Sequence, residues 1–169
     1  ISIGCRINGR IEHGLILDPV RDDEFSASRG DGARLNGKRI RVSDTRSLEG
    51  ALLATGIPFS GVNKEHIPAY LQCTEELLGG NTAGIRRMGA ASLDLAYVAA
   101  GRFDGFYEMN LNIWDIAAGV LIVREAGGLV TDLAGGDKYL KNGNILCGNP
   151  KVFKEMLPTV RRNLGHLDS

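Results

Sequence analysis

The chain has 169 residues, 43% of them hydrophobic and 24% charged, which is ordinary for a soluble globular protein and enough for one sizeable domain. Twenty Lys and Arg balance twenty Asp and Glu, so the formal net charge is zero. Bulk attraction to nucleic acid or to a membrane surface is therefore not expected, and any anion recognition has to be local.

No apolar run is long enough to span a bilayer and no signal peptide opens the sequence. The three cysteines, Cys5, Cys73 and Cys147, are odd in number and widely spaced. They read as reduced thiols of a cytoplasmic protein, not as a disulfide frame or a zinc site.

"ISIGCRINGRIEHGLIL" is two β-type runs around Asn8-Gly9, and an Asn-Gly pair between such runs predicts a hairpin because both residues tolerate positive φ. The opening run reads as a strand already under way, as if something once preceded it. "EFSASRGDGARLNGKRIRVS" continues with strand and turn, including a second pair at Asn36-Gly37. Residues 1–48 are thus expected to be antiparallel β. Such a layer cannot cover both of its faces alone.

The pattern then changes. "ALLATGIPF" reads as a short strand stopped by Gly56 and Pro58, and "KEHIPAYLQCTEELLGG" as a helix that ends at Gly79-Gly80. "GIRRMG" is a short strand, and Ala90 to Gly101 a helix capped by Gly101. "GFYEMN" is a strand, followed by an apolar helix within "WDIAAGVLIVREAGG" (Trp114 to Gly128). "GLVTD" and "NILCGN" are strands, and "PKVFKEMLPTVRRNL" closes as a helix that starts at Pro150 and is broken or kinked at Pro158. Residues 49–169 are therefore expected to form an α/β unit.

Ligands in such sheets tend to bind beyond strand ends, where helices begin, and three features fall at such places. Asp115, at the entrance of the apolar helix, is either a helix cap or an oxygen ligand for a hard cation. Glu108 ends the preceding strand, and a five-residue connection could bring it beside Asp115. Two adjacent carboxylates disfavour joint ionisation unless a cation or donors compensate, although a solvated strand-end glutamate is the plainer reading. "MGAAS", Met88 to Ser92, joins a strand to a helix with small residues, which suits either tight packing or close approach of a ligand to free N–H groups.

"DPVRDDE", Asp18 to Glu24, has four carboxylates but reads as a solvated turn around Pro19. His13, His66 and His166 are isolated in the sequence, and neither a Walker A loop nor a GxGxxG after a strand is present.

"WDIAAGVLIVREAGG" resembles the C-terminal signature of the inositol monophosphatase family, in which Trp-Asp leads to a Glu-Ala-Gly-Gly ending. The likeness runs on through "DPVRDDEFSASRGDGARLNGKRIRVS", "GAASLDLAYVAAGRFDGFYE" and "GNILCGNP", and is nearest to the bacterial SuhB-like branch. It implies the C-terminal part of a layered αβαβα sandwich and Mg²⁺-dependent hydrolysis of inositol monophosphate or a related small phosphate monoester. Carried over by position, it implies that Asp115 is a metal ligand and catalytic residue that also faces the substrate hydroxyl next to the phosphate. It implies that Glu108 hydrogen-bonds a substrate hydroxyl and that Gly89, Ala90 and Ala91 line the ring.

The resemblance also implies homodimers and, for the SuhB-like branch, partners in bacterial transcription complexes. Sugar-phosphate or nucleotide-phosphate phosphatases of the same superfamily are the alternatives within the enzyme class. The family's other signature, Asp-Pro-Ile/Leu-Asp-Gly-Thr, is not in these residues, nor is the metal-binding glutamate that precedes it. The chain is therefore read as about two-thirds of such an enzyme, and catalysis by these 169 residues alone is not expected.

Overall fold

A computed structural model describes residues 1–58 and 64–168. The first sheet holds β1 (Ser2–Ile7), β2 (Arg10–Asp18), β3 (Asp23–Ser28), β4 (Gly32–Leu35) and β5 (Lys38–Arg39), joined in chain order and antiparallel throughout. The expected hairpin is present. Asn8 and Gly9 both take positive φ, 48° and 83°, which matches the turn to the twist of the strands it joins.

The second sheet has the order β7-β6-β8-β10-β9, with β6 (Leu52–Thr55), β7 (Gly84–Arg86), β8 (Gly105–Glu108), β9 (Leu129–Thr131) and β10 (Ile145–Gly148). β6 runs parallel to both β7 and β8, whereas β10 is antiparallel to β8 and β9. The strand expected in "ALLATGIPF" is β6; its last quoted residue, Phe59, lies outside the described residues.

Among the described residues five α-helices pack on these sheets: α1 (Ile67–Gly79), α2 (Ala91–Ala99), α3 (Ile113–Glu125), α4 (Tyr139–Asn142) and α5 (Pro150–Leu164). α3 is buried continuously from Ile116 to Val123. A helix that is apolar all round belongs between two layers, and this one does. One cluster of buried residues joins Ile16 and Phe25 of the first sheet, Leu95 and Val98 of α2, Ile122 of α3, and Phe106 and Cys147 of the second sheet. A second cluster lies beyond that sheet and joins Leu53 and Leu146 to Leu77 of α1 and to Val152, Met156 and Val160 of α5. The layers are thus sheet, helices, sheet, helices, an α+β sandwich.

The break expected at Pro158 does not occur, and α5 runs on to Leu164. Its buried face recurs at Val152, Phe153, Met156, Val160 and Leu164, so tertiary burial outweighs the lost backbone hydrogen bond. The four-residue α4 has no amphipathic period long enough to be read from sequence.

Buried polar links fasten the layers. Asp104 accepts from the Ser43 hydroxyl at 2.5 Å and from the Leu52 N–H at 2.6 Å, which ties the segment leaving the first sheet to the starts of β6 and β8 in the second. Glu125, in the "REAGG" ending of α3, accepts from the N–H groups of Gly30 and Gly32, each at 2.9 Å. Its role is to close the β3–β4 turn.

Candidate active site

β8 sits in the middle of the second sheet and delivers Glu108 at its C-terminal end. Thr55 of β6 is in register with Tyr107, and its hydroxyl donates to the Tyr107 carbonyl at 2.9 Å. Gly56 therefore falls beside Glu108. A β-carbon at Gly56 would lie 1.8 Å from Oε1 of Glu108, so only glycine leaves room for the carboxylate there.

The chain then crosses from Glu108 to α3 in four residues, Met109 to Asn112. That crossing is pinned from the α4–β10 turn: the Asn110 N–H donates to Oδ1 of Asn144 and the Leu111 N–H to the Gly143 carbonyl, both at 2.9 Å. Asp115 is the third residue of α3, and Asn112, not Asp115, is the N-cap. Oδ2 of Asp115 reaches back to accept from the Asn112 N–H at 3.0 Å. The cap reading of Asp115 is thus true of one oxygen.

Opposite these carboxylates, Gly89 takes φ +91° and turns the chain into α2, whose N-cap is Ala90. Ala90 has no side-chain acceptor, so no side chain caps the first N–H groups of α2. Gly89, Ala90, Ala91, Glu108 and Asp115 all line one cavity of about 160 Å³, with Gly56, Arg87 and Leu111. Every residue that sequence reasoning singled out for the substrate is brought together here.

Arg87, Asp94 and Gly56 were not singled out. Arg87 folds over Gly89, its Nη1 lying 3.3 Å from where a β-carbon on that glycine would be. Asp94, on the first turn of α2, is 1% exposed, and its Oδ1 has no hydrogen-bond partner. Burial pushes the Asp94 carboxyl up to about 7, against a smaller opposing pull from Arg87. Glu108 is likewise pushed up to about 7 by burial, with Asp94 and then Asp115 adding repulsion and Arg87 opposing it. The plain reading of Glu108 as a solvated strand-end residue is therefore replaced. Its carboxyl changes charge near neutrality and can either accept or donate a hydrogen bond to a hydroxyl. An aspartate hidden in "SLDLAYVAAG" gives no sequence signal, because the motif differs from an ordinary buried helix only in that residue.

Two other sequence readings change. Asp18 is not a solvated turn residue but is 4% exposed. It accepts from the Val20 N–H at 3.0 Å, from Arg21 Nη1 at 3.1 Å and from the Tyr97 hydroxyl at 3.4 Å. His66 and His166 are not isolated in space, for their rings stand 6.3 Å apart, edge to face. Cys73 and Cys147 are buried free thiols and Cys5 an exposed one.

Among the described residues no three of His, Cys, Asp and Glu come together to hold a metal ion. Asp115 and Glu108 are an incomplete set for a hard divalent cation, which needs several well-placed oxygens. Among the described residues no helix is long and apolar enough to cross a membrane.

A profile described as the inositol monophosphatase family matches residues 1–166. The chain is 56% identical over 164 residues to the Nus factor SuhB of Pseudomonas aeruginosa and 51% identical to that of Escherichia coli, covering 97% of this chain and 60% of each relative. Among solved structures, the extragenic suppressor protein SuhB of Bartonella henselae superposes with a TM-score of 0.90 at 44% identity, over 96% of this chain and 61% of that one. The inositol monophosphatase of Anabaena superposes with a TM-score of 0.84 at 36% identity, over 98% and 67%. The chain spans about three-fifths of the length of the curated relatives it matches.

Proposed function

The chain belongs to the inositol monophosphatase family, and on that premise we propose that it is the C-terminal part of a phosphatase that hydrolyses inositol monophosphate or a related small phosphate monoester. The convergence of Glu108, Asp115 and the Gly89–Ala91 turn on one cavity carries this reading. On it, residues 1–48 are the remainder of a first α+β unit and residues 49–169 a second, α/β unit.

Glu108 would hold a hydroxyl of the polyol, and its carboxyl, fixed against Gly56, is oriented for that task. The small residues Gly89, Ala90 and Ala91 would let the ring approach the backbone at the start of α2, where free N–H groups favour electron-rich atoms. Asp115 would use one oxygen to hold the helix entrance and the other for the catalytic metal and the hydroxyl beside the phosphate. Arg87 would add positive charge beside the phosphate. We assign Mg²⁺, which supplies charge to phosphate oxygens and an activated water when bound, to the longer protein and not to these residues alone.

The test is a chimera in which this chain follows the N-terminal two-fifths of the Pseudomonas relative. Mg²⁺-dependent release of phosphate from inositol 1-phosphate is expected, with a fall in kcat of about 100-fold or more in Asp115→Asn, the scale of losing one electrostatic group at a reacting centre. A folded chimera without turnover, or an Asp115→Asn variant with normal turnover, would refute the assignment.

The names of the closely similar relatives favour a second reading, a binding role in a transcription complex, with homodimerisation as the family resemblance implies. Retention of transcription-elongation factors by the catalytically dead chimera would support it, and their loss only when the cavity is mutated would not.

A further inference from the structure

The far end of α3 carries a second feature. Arg124 stands nine residues beyond Asp115 on the same helix, about 14 Å along its axis, so the two ends serve different places. At the Arg124 end the chain forms a cavity of about 250 Å³, rimmed by Arg10, Arg29 and Arg124.

The fold brings these three together from distant parts of the sequence. Arg10 follows the Asn8-Gly9 turn at the start of β2. The Arg29 N–H donates to the Glu12 carbonyl at 3.0 Å, which places Arg29 beside the same end of β2. Its guanidinium is held by the Ile11 carbonyl and by the Glu12 carboxylate at 3.2 Å. The Arg124 guanidinium lies 5.3 Å from the centre of the Tyr139 ring. Arg6 reaches the same turn, its Nη2 4.0 Å from the β-carbon position of Gly9.

Each contact has a modest explanation of its own. A cation suits the C-terminus of α3, and a surface pair such as Arg29–Glu12 contributes little. Neither explains the convergence. In a chain of zero net charge, four guanidinium groups gather where, among the described residues, Glu12 is their one paired carboxylate and the Arg10 side chain has no partner. Val120, Leu121 and Leu140 also line the cavity, between the polar groups. Guanidinium groups match carboxylate and phosphate oxygens in pairs, and apolar pockets with a few convergent charges are where small molecules bind.

We propose that this cavity is a second ligand site that takes a small organic anion, its phosphate or carboxylate group held by Arg10, Arg29 and Arg124 and its body lying against Leu140 and the Tyr139 ring. The site is independent of the activity proposed at the other end of α3.

Calorimetric titration of the 169-residue chain, with amide chemical shifts to locate binding, tests this. The probes are phenylphosphonate, which no phosphatase hydrolyses as an ester, benzoate and inorganic phosphate. Phenylphosphonate or benzoate is expected to bind at the Arg124 end, and the tighter of the two identifies the head group. Affinity is expected to fall tenfold or more in Arg10→Gln with Arg124→Gln and to be unchanged in Asp115→Asn. Because the Arg10 side chain is exposed and has no hydrogen-bond or ion-pair partner among the described residues, Arg10→Gln alone is expected to fold, with a threefold or greater loss of affinity. Binding of neither organic anion, equal binding of inorganic phosphate, or affinity unmoved by the arginine variants would overturn the proposal. So would shifts confined to the Glu108 cavity.

Discussion

Gly56 and Glu108 occupy a space that admits one side chain: a β-carbon on the glycine would stand 1.8 Å from Oε1 of the glutamate. The parallel pairing of β6 with β8 puts them side by side, with Thr55 in register with Tyr107. In Gly56→Ala the carboxyl must shift from this position. The expected result is a loss of about tenfold or more in kcat/KM of the chimera, as misplacing a positioning group by an ångström does. The melting temperature should move by only a few degrees, as for a ~1 kcal/mol change. Unchanged kinetics in a folded Gly56→Ala protein would show that Glu108 does not act on the substrate.

Asp115 has separable structural and chemical roles. Asp115→Asn keeps an oxygen for the Asn112 N–H, whereas Asp115→Ala removes it. Urea denaturation should show a cost of about 1 kcal/mol for the alanine and less for the asparagine, the scale of a lost cap. Turnover of the chimera should be lost in both. For the 169-residue chain alone, calorimetry should show no tight stoichiometric Mg²⁺ binding, since Asp115 and Glu108 offer too few oxygens.

Asp94 should make stability depend on pH. Its folded-state value near 7 lies above its ordinary 3.8, so the native protein keeps a proton that the unfolded chain has released. That stabilisation is complete below about pH 4 and is lost as pH rises toward 7. Denaturation midpoints should fall across this window and the slope should flatten in Asp94→Asn. Glu108 contributes in the same direction, so some slope should remain. A midpoint rising with pH between 4 and 7 in the wild type would contradict the buried, protonated Asp94.

Glu125 joins the end of α3 to the β3–β4 turn through two N–H groups. Glu125→Ala should cost about 2 kcal/mol in denaturant unfolding, as hydrogen bonds to charged groups do, with kcat of the chimera unchanged. A large kcat effect at unchanged stability would move this residue from scaffold to chemistry.

Local signals carried most of the elements. Positive-φ pairs marked the turn at Asn8-Gly9, glycines marked helix ends at Gly79-Gly80 and Gly101, and apolar runs marked β6, β8 and β10. These features act over a few residues, so a linear reading captures them. The same reading marked Glu108, Asp115 and the Met88–Ser92 junction as candidates, because strand ends and helix starts are where α/β sheets tend to bind ligands, and the family resemblance narrowed that junction to Gly89, Ala90 and Ala91.

What it could not supply was anything that depends on which distant residues meet. Gly56 looked like a strand stop until β6 paired with β8 and set it against Glu108. Asp94 looked like one polar position in a helix until two layers closed over it. The arginines at positions 10, 29 and 124 are unremarked charges in sequence and one rim in space. Pro158 read as a break or kink because its local cost is visible, while the burial of Met156 and Val160 that carries α5 on past it is not. Burial and convergence are properties of the packed chain: the desolvation that shifts a carboxyl and the crowding that demands a glycine arise only when separate segments share the same few ångströms.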